Sequence, residues 1–331
     1  MRVGIGTRRW WSLLLVAAAA AAFVGLGCGG SDGGARNRPD LAATVVREEP
    51  VGPRLLDLTI RSPALGTDAK ARLMTPIGWR KGRAARRWPV LYLLHGCCDT
   101  YQSWTRSTSI ERFPALRRVL VVMPEGGAVG FYSDWVGNGS EPGPGWETFH
   151  LVELRRLLER DYGAGTRRAI AGLSMGGLGA IAYAARHRGL FGAAASFSGL
   201  LHPLQDADDL LGLFGNYTDD PRAVWGDPVD DRARWARHDP TEPAARLRGT
   251  PLFVSSGNGR RGPLDASAGG EDPIEITVFG ESRAFVARLR RLRVPVHADF
   301  YGPGTHSWPY WQRELRRALP TLMHDLGAPR P

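Results

Sequence analysis

Lysine is nearly absent from this chain of 331 residues: only Lys70 and Lys81 occur among 43 basic residues, and the others are arginines. The formal net charge is +10, but the arginines are spread along the chain and often stand beside acids, as in ELRRLLERD (153–161). No compact basic run with interleaved aromatic residues occurs, which argues against a nucleic-acid-binding protein. An arginine bias over a solvated surface explains the charge better.

Cysteine is scarce as well, with three residues in the whole chain. This number excludes a disulfide-rich scaffold. Cys97 and Cys98 are adjacent, and because a bridge between neighbours is strained and uncommon, we expect two free or buried thiols. No Cys/His spacing suits zinc and the histidines are scattered, so we expect no metal. Nothing in the sequence implies an organic cofactor.

The N-terminal segment has the features of an export signal. TRRWWSLLLVAAAAAAFVGLGC (7–28) contains an arginine pair, an apolar run and then small residues. The Thr-Arg-Arg-Trp-Trp order resembles a twin-arginine signal, and Gly25-Leu26-Gly27-Cys28 partly resembles a lipobox. Cys28 is therefore a lipidation candidate, with simple cleavage nearby and an uncleaved membrane anchor as the alternatives. We expect a location outside the cytoplasm, either secreted or lipid-anchored at the outer face of the membrane.

The domain organisation follows from composition. We expect an export signal at 1–28, a flexible linker of Gly, Ser and charged residues at 29–53, and a catalytic domain at 54–327. Within the domain, short apolar runs such as WPVLYLLHG (88–96) alternate with helical patterns. This alternation predicts an α/β fold: a mostly parallel central sheet with helices on both faces. The acidic stretch 203–248 has no clear helical or strand period. It is predicted to be a lid-like insertion over the upper edge of the sheet.

The stretch AIAGLSMGGLGA (169–180) contains a Gly-x-Ser-x-Gly pattern centred on Ser174. A predicted strand enters it and a helix leaves it, and this context is typical of a nucleophile elbow. A phosphate-binding P-loop would need a lysine nearby, and a dinucleotide loop would need other glycine spacing. Close helix–strand packing with an idle serine remains the alternative for the motif alone. The N–H of Met175, at the start of the helix, could donate to a developing oxyanion.

A reactive serine needs a base and an acid. His306 follows the last predicted strand and a Pro/Gly turn, which is where such a base is expected. The second oxyanion donor would be the backbone N–H of Cys97 in LLHGCCD (93–99). Pattern alone does not select the acid; the candidates between serine and histidine are Asp265, Glu271, Asp272, Glu275 and Glu281.

Several motifs together resemble those of the α/β-hydrolase family that includes esterase D and the antigen 85 mycolyltransferases. The matching stretches, which run through most of the chain from Arg54 to Asp325, are YLLHG (92–96), VVMPEGG (121–127), FYSDW (131–135), WETF (146–149), GLSMGG (172–177), SGNG (256–259) and GTHSWPYW (304–311). The resemblance implies Ser174 as nucleophile, His306 as base, and Cys97 and Met175 as oxyanion donors. It also implies Glu275 as the acid, ten residues before Phe285.

The resemblance implies an exported serine esterase that acts on a small-molecule or lipid ester through an acyl-enzyme. The family's acceptor-sugar contacts, an aspartate and an arginine, are replaced here by His95 and Cys98, which puts trehalose binding in doubt. His95 and Trp308 are the substrate-binding candidates. Transfer of the acyl group to a cell-envelope glycan is the first alternative function. A non-catalytic cell-surface binding lipoprotein is the second, since some relatives lack the triad.

Overall fold

The computed structural model describes residues 42–82, 87–266 and 269–327. The predicted export signal and Cys28 lie outside these residues. One compact unit begins at Ala43. Within the described residues, no helix combines the length and the apolar character that crossing a membrane requires.

In the part of the chain that the structure describes, nine strands form a single sheet. Their bounds are β1 Thr44–Pro50, β2 Leu55–Ser62, β3 Thr67–Met74, β4 Trp88–Leu94, β5 Leu120–Pro124, β6 Ala164–Leu173, β7 Ala193–Phe197, β8 Leu252–Ser256 and β9 His297–Phe300. Their order across the sheet is β1-β2-β3-β5-β4-β6-β7-β8-β9. The first four in this order pair antiparallel, and the six from β5 to β9 are parallel. The predicted mostly parallel sheet is confirmed.

The helices lie between the strands, as the alternating pattern predicts. Their bounds are α1 Ser103–Ser107, α2 Trp146–Thr148, α3 Arg155–Asp161, α4 Met175–Arg186, α5 Ala207–Phe214, α6 Arg232–His238, α7 Pro273–Arg291 and α8 Trp308–Leu326. A π-helical segment, Phe149–Leu154, joins α2 to α3. Short 3₁₀ turns occur at Ile110–Arg112, Pro114–Arg118, Pro221–Ala223 and Ala244–Leu247.

The parallel strands are buried on both faces, because helices cover each side of the sheet. In β4 and β6 the apolar runs around Leu91 and Ala169 are fully buried. Helix α8 places an apolar stripe against one face: Trp311, Leu315, Ala318, Leu319, Leu322, Met323 and Leu326. This 3, 4 and 7 spacing is the helical period read from the sequence. Burying each large side chain contributes about 1.5–3 kcal/mol.

Two regions differ in detail from the sequence-based expectations. The second half of the stretch expected to be a linker, Thr44–Pro50, is strand β1, which pairs with β2. The insertion at 203–248 is not irregular throughout but contains α5, α6 and a buried aromatic cluster. In that cluster Trp225 lies edge-on to Phe131 at 5.6 Å and to Trp235 at 5.1 Å.

Candidate active site

Ser174 lies at the turn between β6 and α4, where the chain leaves the carboxyl edge of the sheet. Its backbone adopts φ 52° and ψ −123°. Positive φ is uncommon for a residue with a side chain and costs about 1–3 kcal/mol, which the surrounding structure must offset. The residue is 8% exposed. The turn has the strand–turn–helix form that the sequence predicted.

The glycines around Ser174 are required by close backbone contacts. A Cβ on Gly172 would lie 2.1 Å from the carbonyl oxygen of Gly176, and one on Gly176 would lie 2.5 Å from that of His95. A Cβ on Gly177 would lie 2.6 Å from Ser196 Oγ. Helix α4 therefore packs directly on the ends of β4, β6 and β7. The close helix–strand packing that was the alternative explanation of the motif is thus present. Packing alone does not explain why Ser174 has a positive φ.

Glu275 and His306 form a buried pair. Glu275 Oε2 lies 2.8 Å from His306 Nδ1, and the Glu275 side chain is 0% exposed while that of His306 is 12% exposed. The other carboxylate oxygen, Oε1, accepts hydrogen bonds from Ser198 Oγ at 2.9 Å, Ser256 Oγ at 2.8 Å and the Gly257 N–H at 2.6 Å. Such a carboxylate holds the imidazole in the tautomer that carries its proton on Nδ1, leaving Nε2 able to accept one.

The second layer of contacts fixes both partners of this pair. Asp272 caps α7 through Oδ1, which accepts the N–H groups of Ile274 and Glu275, and its Oδ2 accepts the N–H of His306 at 2.8 Å. Trp311 lies edge-on to the His306 ring at 4.9 Å and donates from Nε1 to Ser198 Oγ at 3.1 Å.

Ser174 reaches the same edge through neighbouring strands. Its N–H donates to the Phe197 carbonyl at 3.0 Å, and the Ser198 N–H donates to the Ser255 carbonyl at 2.8 Å. Ser174, Ser198 and Glu275 are thus linked to the ends of β6, β7 and β8. The structure brings Glu275 and His306 into direct contact. It places Ser174 at their edge of the sheet without a hydrogen bond to His306 among the described residues.

The two expected oxyanion donors flank Ser174. Met175 follows it directly, and Cys97 follows Gly96, where an added Cβ would lie 3.2 Å from Ser174 Cβ. Within the described part of the chain, the N–H groups of Met175 and Cys97 donate no hydrogen bond. The expectation of two free thiols is wrong in this structure: Cys97 and Cys98 are joined by a disulfide. The left-handed backbone of Cys98, with φ 64°, accompanies this bond between neighbours.

The two predicted substrate contacts have different surroundings. His95 is 1% exposed, and both ring nitrogens contact backbone groups: Nδ1 the Gly96 carbonyl at 2.8 Å, and Nε2 the Gly126 N–H at 2.9 Å. This side chain therefore joins the two loops after β4 and β5, and the prediction that it contacts substrate gains no support. Trp308 is half-buried and lies edge-on to Trp104 at 5.3 Å and to Trp311 at 5.2 Å.

The other candidate acids occupy separate environments. Asp265 accepts hydrogen bonds from Tyr310 and the Gly262 N–H, and Glu271 is exposed. Glu281 is fully buried, accepts the His202 N–H at 2.9 Å, and has its pKa raised well above the usual value, because burial and nearby Asp206 disfavour its charge. Among the five candidates, Glu275 alone contacts the imidazole ring of His306, whereas Asp272 contacts the backbone N–H of that residue.

Sequence reasoning missed Ser198 and Ser256, which hold the second oxygen of Glu275. Each is polar and fully or almost fully buried at the end of an apolar strand. That combination, a serine where a buried parallel strand ends, was the available signal. In the described residues, no cluster of three or more His, Cys, Asp or Glu side chains could hold a metal ion.

Comparison with known proteins shows the family. The Esterase family model matches residues 62–322. The esterase Rv1288 of Mycobacterium tuberculosis (strain H37Rv) is 32% identical over 269 residues; the match covers 77% of this chain but 56% of that protein, so the chain spans little more than half of its length. The diacylglycerol acyltransferase/mycolyltransferase Ag85B of Mycolicibacterium smegmatis is 31% identical over 324 residues, covering 92% of this chain and 91% of that one.

Solved structures agree on the fold. The crystal structure of Mycobacterium tuberculosis MPT51 (FbpC1) has a TM-score of 0.64 at 28% identity, covering 82% of this chain and 98% of that one. An S-formylglutathione hydrolase from Agrobacterium tumefaciens has a TM-score of 0.62 at 17% identity, covering 84% and 99%, which supports the fold alone. With its parallel sheet, its strained serine turn and this family match, the chain belongs to the Esterase family of α/β-hydrolases.

Proposed function

We propose that this chain is an exported serine esterase that hydrolyses carboxylic esters through Ser174, His306 and Glu275. The observation that carries the proposal is the buried Glu275–His306 pair at the same sheet edge as a serine with strained backbone. An ordinary surface ion pair is exposed, and its carboxylate is not held by three further donors. A carboxylate that orients an imidazole is buried and fixed in this way.

The reaction follows from these positions. Ser174 Oγ attacks the ester carbonyl while His306 Nε2 takes its proton, and Glu275 stabilises the resulting imidazolium. The negative oxygen of the tetrahedral intermediate is met by the N–H groups of Cys97 and Met175, which have no other described acceptor. His306 then gives its proton to the leaving alkoxide, and the acyl group remains on Ser174. Water then attacks the acyl carbonyl while His306 takes its proton. His306 returns this proton to Ser174 Oγ as the bond between Oγ and the acyl carbon breaks, which releases the acid and restores the serine.

Acyl transfer to a cell-envelope glycan is the second candidate function. It is favoured by the similarity to the diacylglycerol acyltransferase/mycolyltransferase Ag85B of Mycolicibacterium smegmatis, because that match spans 91% of the relative's length. The chemistry up to the acyl-enzyme is the same, and only the acceptor differs. The acceptor would enter near Cys98 and Trp308, which together with His95 are the positions predicted to surround the acceptor.

Export is part of the proposal. Residues 1–28 supply the signal, and Cys28 supplies a candidate lipid anchor. The compact unit starts at Ala43, so a protein beginning at residue 29 retains every described element. The segment between Cys28 and Ala43 would act as the tether.

Hydrolysis of p-nitrophenyl esters from short to long acyl chains tests the proposal, with the protein beginning at residue 29. We expect turnover by the wild type, a loss of at least about 10³-fold in kcat for Ser174→Ala and about 10³- to 10⁴-fold for Glu275→Gln. A fluorophosphonate should label the wild type and not Ser174→Ala.

Adding a sugar acceptor separates the two catalytic functions. Release of free acid unchanged by the sugar supports the esterase, and formation of an acylated sugar supports the transferase. An inert wild type that no fluorophosphonate labels would contradict both and favour a binding lipoprotein.

A further inference from the structure

Exposed arginines precede every parallel strand of the sheet. One stands shortly before each start of β4, β5, β6, β7, β8 and β9: Arg87, Arg118, Arg160, Arg188, Arg248 and Arg291. Parallel strands begin at the same edge of a sheet, so these six side chains belong to one edge. It is the edge opposite the one where Ser174 and the Glu275–His306 pair lie. We call it the basic edge.

Acidic residues are nearly missing from the basic edge. The eight residues before each of the six strands include at least two arginines or lysines in every case, whereas Glu159 and Asp161 are the only acids. The eight residues after each strand, at the opposite edge, contain two acids, Asp99 and Glu125, and two arginines, Arg260 and Arg261. Positive charge therefore predominates before the strand starts, whereas acids and arginines balance after the strand ends.

The spacing of the strands makes these charges act together. Neighbouring strands lie about 4.8 Å apart, so six strand starts span about 24 Å. The six arginines stand one to six residues before these starts, and any of them that lie within the screening length of about 8 Å reinforce one another at physiological salt. Among the described residues, Arg118, Arg188 and Arg291 form no ion pair that would neutralise them.

Helix capping does not account for the whole pattern. A cation in the last turn of a helix interacts favourably with the helix dipole, and Arg160 and Arg291 are placed in this way. Arg87 and Arg248 lie outside α-helices. The connection into β4 also contains Trp79, Arg80 and Lys81. These three residues line a cavity and do not belong to the end of a helix.

This cavity has a volume of about 280 Å³ and opens at the basic edge. Trp79, Arg80, Lys81, Arg87 and Arg160 line it, together with Glu48 and Asp161. Lys81 pairs with Glu48 and Arg160 with Asp161, and these two pairs use both acids. Arg80 and Arg87 form no ion pair within the described residues, so the cavity keeps positive charge beside an indole ring.

We propose that the basic edge docks on the headgroups of a bilayer rich in anionic phospholipid, with the cavity accepting one phosphate headgroup. A row of exposed arginines, most of them without an ion pair among the described residues, complements the dense negative charge of an anionic bilayer surface. The lipidation candidate Cys28 lies on the same chain, 15 residues before Ala43, where the compact unit begins. In the docked protein the edge with Ser174 faces away from the membrane. Only the statement that catalysis occurs at this edge rests on the proposed function; the binding to the bilayer does not.

Vesicle co-sedimentation tests the proposal, with the protein beginning at residue 29 so that neither anchor nor apolar run contributes. We expect binding to vesicles of phosphatidylglycerol and phosphatidylcholine (30:70) in 0.1 M salt, and none to pure phosphatidylcholine. Arg118→Gln, Arg188→Gln and Arg291→Gln combined should weaken binding about a hundredfold. Arg80→Gln alone should weaken it about fivefold.

A matched triple variant removes the same charge elsewhere. Arg222→Gln, Arg232→Gln and Arg283→Gln combined change exposed arginines outside the basic edge and should stay within about threefold of wild type. Equal losses in both triples would overturn the proposal, since net charge alone would then explain binding. Tighter binding to polyphosphate or duplex DNA than to vesicles would overturn it as well. Hydrolysis of a soluble ester should be unchanged in both triples, and an inert but vesicle-binding wild type would contradict only the proposed function.

Discussion

Asp272 accepts the backbone N–H of His306 at 2.8 Å while its second oxygen caps α7, the helix that carries Glu275. One side chain therefore fixes the loop of the histidine relative to the helix of its acid. The sequence offered Asp272 as a candidate acid, and the structure gives it this positioning contact instead. Both members of the pair depend on it.

Replacing Asp272 should separate capping from charge. We expect Asp272→Ala to lower the free energy of unfolding by about 1–2 kcal/mol through loss of the cap, and to lower kcat about tenfold with little change in KM. Asp272→Asn keeps an acceptor oxygen and should recover most of the stability. Denaturant unfolding and ester kinetics measure the two effects. Wild-type kcat in Asp272→Ala would show that His306 is held without this contact.

Ser198 connects Trp311 to Glu275, since its Oγ accepts from the indole and donates to the carboxylate. Ser198→Ala leaves the buried indole N–H unpaired and removes one of three donors from Oε1, which should cost about 1–3 kcal/mol of stability. We expect a kcat reduced about tenfold at an unchanged fluorophosphonate labelling stoichiometry. Ser255→Ala, a buried serine with no partner for its Oγ among the described residues, is the control and should retain kcat.

The glycines of the serine turn give a comparison of two alanine substitutions. Gly172→Ala places a Cβ 2.1 Å from a backbone carbonyl oxygen, so we expect loss of folded protein or destabilisation of more than about 3 kcal/mol. Gly280 lies inside α7 with nothing within 4 Å of an added Cβ, so Gly280→Ala should stabilise by up to about 1 kcal/mol. Thermal unfolding of both proteins checks this, and a stable Gly172→Ala would refute the packing described for α4.

Glu281 predicts a pH dependence of stability. Its folded pKa is raised well above 4.5, mainly by burial, so the folded protein holds a proton that the unfolded chain releases. Stability from this group is complete below about pH 4.5 and falls as pH rises toward the folded pKa, by at most about 1.4 kcal/mol per pH unit. Glu281→Gln should therefore match wild type near pH 4 and exceed it increasingly above. Parallel denaturation curves at all pH values would contradict the raised pKa.

The local chain conformation around the predicted site residues follows from the sequence pattern. The turn at Ser174 needs small neighbours and a strand–helix boundary, and both can be read directly. His306 follows a final strand and a Pro/Gly turn. The choice among acids is different, because Glu275 and Glu281 lie on one helix and are both fully buried. Their partners, His306 and His202, are set by tertiary packing, so the residues alone left five candidates open.

Two boundary errors have physical causes. Edge strand β1 carries Arg47, Glu48 and Glu49. Charged side chains protect the unpaired edge of a sheet, and they also make the composition of such a strand similar to that of a linker. The helical spacing of SRAFVARLRRL predicts a helix over 282–292, but α7 already begins at Pro273, after the Asp272 cap. The Asp-Pro start signal was present in the sequence. The Cys97–Cys98 bond depends on the left-handed backbone of Cys98, which composition does not reveal.

The long excursion 198–251 connects β7 to β8, which are neighbours in the sheet. Phe197 at the end of β7 pairs with Ser255 of β8. Its two ends are therefore held together by the ladder, whatever lies between them. Because the entropy of closing a loop grows only slowly with its length, residues can be inserted into or removed from this excursion at small entropic cost where the packing of Trp225 on Phe131 is kept. The frame that holds Ser174, Glu275 and His306 would stay unchanged. Substrate range and catalytic chemistry can thus diverge independently in this architecture.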